Sequence, residues 1–286
     1  MILKSNTLTF VAGLAAGMIF STSVASADTF GPMDTSGFVE IFGSYSDAVE
    51  DNSSGADDNY TGGGGGGRVN FWLSDSHTVQ IDGNLNFFRN DPDNDTEHAV
   101  EMVVHSGWRD PERGYIGGFG GLISYGYTGS DSRDSNQWIA GGEGAVYLDM
   151  ITVFAQAGFM DTFNSDEAES FEDTYFVQGG VRYFASSNLK LEASGGFLSG
   201  DQYGDTPVDM PFWRAEAEYK PEDFRVSWFA AYEGYSEDED GHEHTNHTVM
   251  GGIRIHFGQD TLLSFDRSGA SQVFLNSRML LMADDQ

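Results

Sequence analysis

The chain has 286 residues, no cysteine, and 45 acidic against 14 basic residues, so its formal net charge is −31 at pH 7. The missing cysteines exclude disulfide bonds and thiolate metal sites. The acidic excess argues against a nucleic-acid-binding protein, which needs a basic face.

Residues 1–27 have the pattern of a secretory signal peptide. A lysine supplies the positive start, residues 8–20 form a short apolar region, and Ala25 and Ala27 flank a small-residue cleavage site. A transmembrane anchor is the alternative, but the apolar run is shorter than the roughly 20 residues that a spanning helix needs. We therefore expect export from the cytoplasm and a mature chain that begins near Asp28.

Twelve later segments alternate apolar and polar residues with a period of two, as strands with one buried face do. In chain order they cover about 37–45, 64–73, 78–88, 98–108, 114–127, 137–148, 151–160, 174–184, 188–198, 211–220, 224–234 and 247–257. In the third segment, Val79, Ile81 and Leu85 share one face, while Gln80 and Asp82 share the other. Each predicted strand therefore has one apolar face and one face of charged or small residues.

The links between these strands alternate between tight turns and long acidic loops. The turns are 74–77, 109–113, 149–150, 185–187 and 221–223, and the loops are about 46–63, 89–97, 128–136, 161–173, 199–210 and 235–246. An even strand number with short and long links at opposite ends is typical of closed antiparallel β-barrels that span a membrane. We predict an all-β transmembrane barrel of about 12 strands, in a range of 10–14, within residues 28–257.

A soluble sandwich would show the same alternation, so the position of the aromatic residues matters. The aromatic residues assigned to the apolar face near strand ends are Tyr45, Trp108, Tyr115, Tyr127, Trp138, Phe159, Tyr175, Tyr183, Trp213, Tyr219, Tyr232 and Phe257. Strand centres carry aliphatic and small residues instead. Rings at both edges of an aliphatic band indicate two membrane interfaces.

The pattern as a whole resembles Gram-negative outer-membrane β-barrel proteins of the porin-like superfamily. Residues 252–257 resemble the final-strand signal that the barrel-assembly machinery reads, except that 29 residues follow Phe257 here. The resemblance implies the cell outer membrane as location, contact with its lipid and lipopolysaccharide, and assembly by that machinery. It leaves monomer and trimer open.

Residues 258–286 mix apolar and polar side chains after the last strand. We expect a periplasmic C-terminal tail and leave two alternatives open. In the first, the tail packs against the barrel, either under it or inside the lumen. In the second, the tail is a loosely ordered extension.

The predicted interior face carries ionisable residues of both signs. They are Glu40, Arg68, Asp82, Glu101, Glu143, Arg182, Lys190, Glu192, Arg214, Glu216, Glu218, Lys220, Arg225, Glu233 and Arg254. Opposed charges at a constriction would select solutes, whereas Arg–Glu pairs that fill the lumen would close it. A barrel of twelve strands lies between the small barrels that side chains fill and the large ones that hold an open channel. We predict a porin-like channel for passive diffusion of small hydrophilic solutes. A non-conducting structural or adhesive barrel is the alternative.

The acidic loops carry a weak metal-binding pattern. Its candidate ligands are Asp91, Asp93, Asp95, Asp238, Asp240, His242 and His244. The first three resemble half of a calcium loop, but Thr96 stands where that loop needs Gly, and Met102 where it needs Glu. A solvated, self-repelling loop is the simpler interpretation, so no cofactor is expected beyond occasional Ca²⁺ or Mg²⁺. No serine, histidine and acid fall in cross-strand positions that would indicate an enzyme.

Overall fold

The computed structural model describes residues 35–50, 58–90, 96–128, 134–165, 171–202, 206–239 and 242–273. The strands are β1 Thr35–Glu50, β2 Asp58–Ser74, β3 His77–Asn90, β4 Thr96–Asp110, β5 Gly114–Thr128, β6 Asp134–Leu148, β7 Ile151–Ser165, β8 Phe171–Ser186, β9 Leu189–Gln202, β10 Thr206–Tyr219, β11 Val226–Glu239 and β12 His242–Phe257, and one helix, α1, covers Leu262–Ser268. Among these residues no helix is long and apolar enough to cross a bilayer.

The twelve strands form one closed antiparallel barrel in chain order. Each strand pairs with its sequence neighbours, and β1 closes the sheet against β12 from Gly37↔Phe257 to Glu50↔His244. This confirms the predicted fold class and strand number. We call the end that carries the five short turns, Thr35 and Phe257 the turn end, and the opposite end the loop end.

The predicted long loops were wrong in length, because the strands continue well into them. β1 continues to Glu50 and β11 to Glu239, each five residues beyond the predicted end. Backbone pairing needs no apolar side chains, so it continues where the alternation fades. The 16 residues of β1 rise roughly 40 Å at about 3.3 Å per residue and a tilt of ~40°. The apolar band of a membrane barrel is about 25 Å tall, so this wall is taller than such a band.

The outer surface carries an apolar band between two aromatic belts. Exposed apolar side chains in it include Ile41, Val104, Leu122, Val146, Val153, Val177, Val181, Leu191, Val249 and Ile255. Exposed rings lie toward the loop end at Tyr45, Phe87, Trp138, Phe159, Tyr175 and Tyr232, and toward the turn end at Trp108, Tyr183, Tyr219 and Trp228. A continuous exposed apolar surface of this kind is stable against acyl chains and not against water.

One aromatic residue was assigned to the wrong face. Tyr115 is buried and points into the barrel, while its neighbour Ile116 is exposed. Strand β5 is rich in glycine, so its two faces differ little in the sequence. The residues of its interior face were therefore assigned to the outer face. Phe119 and Ile123 follow Tyr115 on the interior face. The side chain of Tyr127 lies outside the described residues.

A cluster of apolar side chains lies mostly in the loop half of the interior, which the sequence analysis did not predict. This apolar cluster consists of Phe88, Ala99, Val103, Phe119, Ile123, Tyr125, Ile139, Met160, Phe171, Phe176, Leu198, Val208, Met210, Phe212 and Tyr235. Its members come from β3 to β11. Most of the predicted ionisable residues lie closer to the turn end, and Glu101 lies beside the cluster on β4.

Candidate functional site: the barrel interior

Two cations on one wall of the barrel share the same carboxylates. Lys190 Nζ lies 3.0 Å from Glu216 and 2.9 Å from Glu218. Arg254 donates to Glu216 at 2.8 Å and to Glu218 at 2.6 Å, and its Nε donates to Glu40 at 2.7 Å. Cross-strand pairing of Glu40 with Arg254 and of Glu218 with Lys190 fixes this geometry. The cluster is a paired network and not a one-sign ring.

Two further arginines extend this wall. Arg214 lies nearer the loop end and donates to Glu233 and, at 2.7 Å, to Glu216. Arg182 donates from Nε to Glu192 at 2.9 Å, and its guanidinium lies 4.5 Å above the ring of Phe154. Aromatic faces attract a guanidinium that water does not reach.

The opposite wall holds a second polar network around His105. This side chain lies 2.9 Å from Glu143 and 3.6 Å from Asp82. Asp82 also pairs with Arg68 at 3.3 Å, and Tyr115 donates to Glu143 at 2.9 Å. His105 and Tyr115 were not among the predicted site residues. The even–odd phase of β4 would have indicated His105, since Glu101 and Val103 share its face.

A buried serine and histidine lie side by side without forming a nucleophile pair of the usual kind. Ser227 Oγ lies 2.8 Å from Nε2 of His256 and donates to Glu218 at 2.7 Å. Within the described residues, Nδ1 of His256 has no hydrogen-bond partner. A catalytic histidine is oriented by an acid at its far nitrogen, and here the acid lies on the serine side.

A cavity of about 150 Å³ separates the two walls. Glu40, Arg68, Lys190 and Arg214 line it from the strands, and Phe265 lines it from the tail. Among the charged groups on it, the side chains of Arg68 and Arg214 are 22% and 24% exposed.

The described part of the tail, residues 258–273, lies inside the turn end. Gly258 adopts φ +85°, and a Cβ there would lie 2.2 Å from the carbonyl oxygen of Thr35, so the reversal needs glycine. Helix α1 begins with a capping box between Thr261 and Ser264. Its Phe265 then packs against the ring of His256 at 5.2 Å.

One backbone and two side-chain hydrogen bonds hold α1 against the β8–β9 turn and the start of β7. Leu263 N donates to the carbonyl oxygen of Ser187 at 3.0 Å. Arg267 donates to the carbonyl oxygens of Asp149 at 2.6 Å and Ile151 at 3.1 Å. The helix therefore lies across the mouth at the turn end and not beneath it.

After α1 the tail crosses to the opposite wall. Trp72 Nε1 donates to the carbonyl oxygen of Ser268 at 2.8 Å, and Arg109 donates to that of Gly269. The Gln80 side chain donates to the carbonyl oxygen of Gln272 at 3.0 Å and accepts from its backbone N–H at 3.1 Å. The described part of the tail therefore lies in the lumen, which is one of the placements that the sequence left open. Residues 274–286 lie outside the described part.

Of the fifteen predicted interior residues, all but one face the lumen. The prediction was wrong for Arg225, which is exposed in the turn before β11. Its backbone carbonyl accepts a hydrogen bond from the His256 N–H at 2.7 Å. The N–H of Phe224 closes a turn onto the carbonyl oxygen of Pro221 at 3.3 Å, so β11 begins at Val226 and not at the predicted residue 224. Lys220 is buried and donates to the carbonyl oxygen of Asp260 at 2.5 Å.

Most of the proposed metal ligands lie outside the described residues. This holds for Asp91, Asp93, Asp95 and Asp240 and for the side chains of Asp238 and His242. His244 is described and lies partly buried near the loop end of β12. In the parts of the chain that the structure describes, no three His, Asp or Glu side chains are grouped so that they could hold a metal ion.

Comparison with known proteins places the fold among outer-membrane β-barrels. An outer-membrane channel from Pseudomonas putida F1 matches with a TM-score of 0.58 and 12% identity, over 78% of this chain and 95% of that one. The translocator domain of the autotransporter NalP from Neisseria meningitidis matches with a TM-score of 0.51 and 14% identity, over 87% of this chain and 98% of that one. No protein-family description and no curated protein sequence matches. At these identities the similarity establishes the fold alone.

Proposed function

We propose that this protein is an outer-membrane channel for passive diffusion of small hydrophilic solutes. The observation that carries the proposal is the cavity of about 150 Å³ between two charged walls. Charged side chains that face one another across a narrow lumen act on the charge and hydration of whatever passes between them. A barrel interior with no such function could be packed with apolar residues throughout.

The exterior supports a place in the outer membrane. The apolar band and its two aromatic belts fit a bilayer, and the signal-peptide pattern of residues 1–27 fits export. By analogy with barrels of this kind, the turn end faces the periplasm and the loop end faces the medium. Lipid and lipopolysaccharide then surround the wall, and the acidic loops raise the local cation concentration at the outer mouth.

Two layers restrict the proposed path in the conformation described. The apolar cluster lies mostly in the loop half, and the tail lies across the turn end. Conduction therefore requires movement of the tail and rearrangement of apolar side chains. The wall itself is continuous, with paired neighbours at every strand, so the movable parts are those inside it.

The same packing favours a second candidate function, a non-conducting structural or adhesive barrel. Met160, Leu198 and Met210 are completely buried in the loop half. A filled interior stiffens a barrel and leaves its loops as the functional surface. The two candidates differ in one measurable property, the ion current through the folded protein.

Planar-bilayer recording of the refolded full-length chain tests the proposal. Discrete conductance steps from protein that shows heat-modifiable migration support the channel, and silence from the same material supports the structural barrel. The Arg68→Gln variant removes a cation from the cavity wall. It should shift the reversal potential in a salt gradient toward cation preference.

Arg113→Gln is the matched control for this experiment. It makes the same charge change at a side chain that is 81% exposed in a turn. The control should leave the reversal potential where the unaltered chain has it. Equal shifts in both variants would place the current outside the cavity and would contradict the proposed path.

A further inference from the structure

Three cationic side chains on the lumen wall at the turn end donate to the tail. Arg109, which is completely buried, donates to the carbonyl oxygen of Gly269 and to Ser271 Oγ at 3.4 Å. Lys220 donates to a tail carbonyl oxygen at 2.5 Å. Arg182 donates from Nη1 to Asp266 at 2.7 Å. At these three side chains the wall donates and the tail accepts.

One of these contacts has the form of a carboxylate-binding site. The carboxylate of Asp266 accepts from Arg182 Nη1 through one oxygen and from Thr152 Oγ1, at 2.5 Å, through the other. Arg182 and Thr152 are 5% and 0% exposed, and they stand on β8 and β7, whose registry pairs them directly. Glu192 holds Nε of the same guanidinium from the other side, so the orientation of Arg182 does not depend on the tail.

The site would remain when the tail leaves. Thr152 and Arg182 belong to the rigid wall, and a buried donor without an acceptor is costly, more so when it is charged. Withdrawal of the tail would therefore expose a guanidinium and a hydroxyl that both point at the position of one carboxylate. Water or a solute with the same chemistry must replace the lost acceptor.

We propose that Arg182 and Thr152 form a carboxylate-binding subsite of the lumen, and that Asp266 is its tethered occupant. A small solute that carries a carboxylate competes with the tail for this subsite and favours the state in which the mouth is open. The inference rests on the channel function proposed above and names its solute class. A tethered group is present at a high effective concentration, so the free solute binds weakly while Asp266 is intact.

Binding of acetate to the full-length chain in detergent tests this directly. Acetate matches the end of an Asp side chain, and acetamide matches its shape without the charge. Asp266→Asn should raise the affinity for acetate about tenfold, the factor expected when the competing carboxylate loses a charge-assisted hydrogen bond. Acetamide binding should not change. Isothermal titration calorimetry supplies both affinities, and heat-modifiable migration verifies folding.

Two further variants control the titration. Asp260→Asn makes the same charge change at an exposed tail residue whose backbone carbonyl, and not its carboxylate, contacts the wall, so it should bind acetate as the unaltered chain does. Asp266→Asn combined with Arg182→Met should lose acetate binding. Unchanged affinity in Asp266→Asn, or retained binding in the double variant, would overturn the subsite.

A measurement on the unaltered chain gives a second test that requires no variant to fold. Hydrogen exchange in residues 259–273 should be faster in concentrated acetate than in acetamide or chloride at equal ionic strength. Equal exchange would overturn the competition between solute and tail. The outcomes also separate the two proposals. Acetate binding without bilayer current refutes the channel and keeps the subsite. Bilayer current with no effect of acetate keeps the channel and refutes the subsite.

Discussion

At the scale of single residues, Arg254 is the group on which the charged wall depends most. Its guanidinium contacts Glu40, Glu216 and Glu218 and lies 4.1 Å above the ring of Phe229. Its removal leaves three carboxylates near one another, with Lys190 in contact with two of them and Arg214 with Glu216. The loss of one partner from a buried ionic network costs more than the network contributes.

We expect Arg254→Met to lower the free energy of unfolding by about 3–5 kcal/mol. Urea-induced unfolding from lipid vesicles measures this change. Adding Glu216→Gln should recover part of the loss, because one of the stranded charges disappears. Arg113→Met serves as the control, since Arg113 is 81% exposed and pairs only within its turn. Equal stability of both variants would show that the network contributes no more than a surface pair.

The reversal at Gly258 permits another residue-scale experiment. Gly258→Ala places a methyl group where the backbone has φ +85° and a carbonyl oxygen lies 2.2 Å away, so the tail should leave its position. Limited proteolysis should then cut residues 259–273 faster than in the unaltered chain. Gly251→Ala, whose nearest atom would lie at 3.6 Å, should leave the cutting rate unchanged. Cutting at the same rate in both variants would contradict the need for glycine.

At the scale of elements, the sequence predicted strands most reliably where the two faces differ in chemistry. In β3 and β12, aliphatic residues alternate with polar ones, and the structure shows the predicted faces. β5 fails, because its glycines remove the contrast and Tyr115 then suggests the wrong phase. Two members of the interior apolar cluster were missed for another reason. Val208 and Met210 lie in a segment that was assigned to a loop, so their inward direction was never considered.

The assignment of the outer face makes an element-scale prediction. Val181 lies on β8 between the exposed rings of Tyr175 and Tyr183, so Val181→Lys should cost about 2–4 kcal/mol of stability in a bilayer. Leu73→Lys, at the turn end of β2, places the same charge at the rim and should cost only about 0–1 kcal/mol. Unfolding from vesicles measures both. A larger cost at Leu73 than at Val181 would place the bilayer elsewhere on the barrel.

At the scale of the whole molecule, the fold combines a continuous wall with two contents inside it, the apolar cluster and the tail. The wall was predictable from alternation and link length, since both are local properties of the sequence. The position of the tail was not, because its contacts with Gln80, Arg109 and Ser187 join residues more than 70 positions apart and show no local pattern. An experiment is therefore needed to determine whether the tail or the apolar cluster limits passage through the proposed channel.

A chain without cysteine allows that question to be answered with one engineered disulfide. Ser187→Cys with Leu263→Cys joins neighbours whose backbones share a hydrogen bond of 3.0 Å, so oxidation should fix α1 across the turn end. If the tail limits passage, the oxidised double variant should be silent in planar bilayers and should conduct after reduction. Each single variant should conduct under both conditions. If the oxidised and reduced forms conduct equally, the tail is not the barrier. The resistance then lies in the apolar cluster, where a small side chain at Met210 should increase the current.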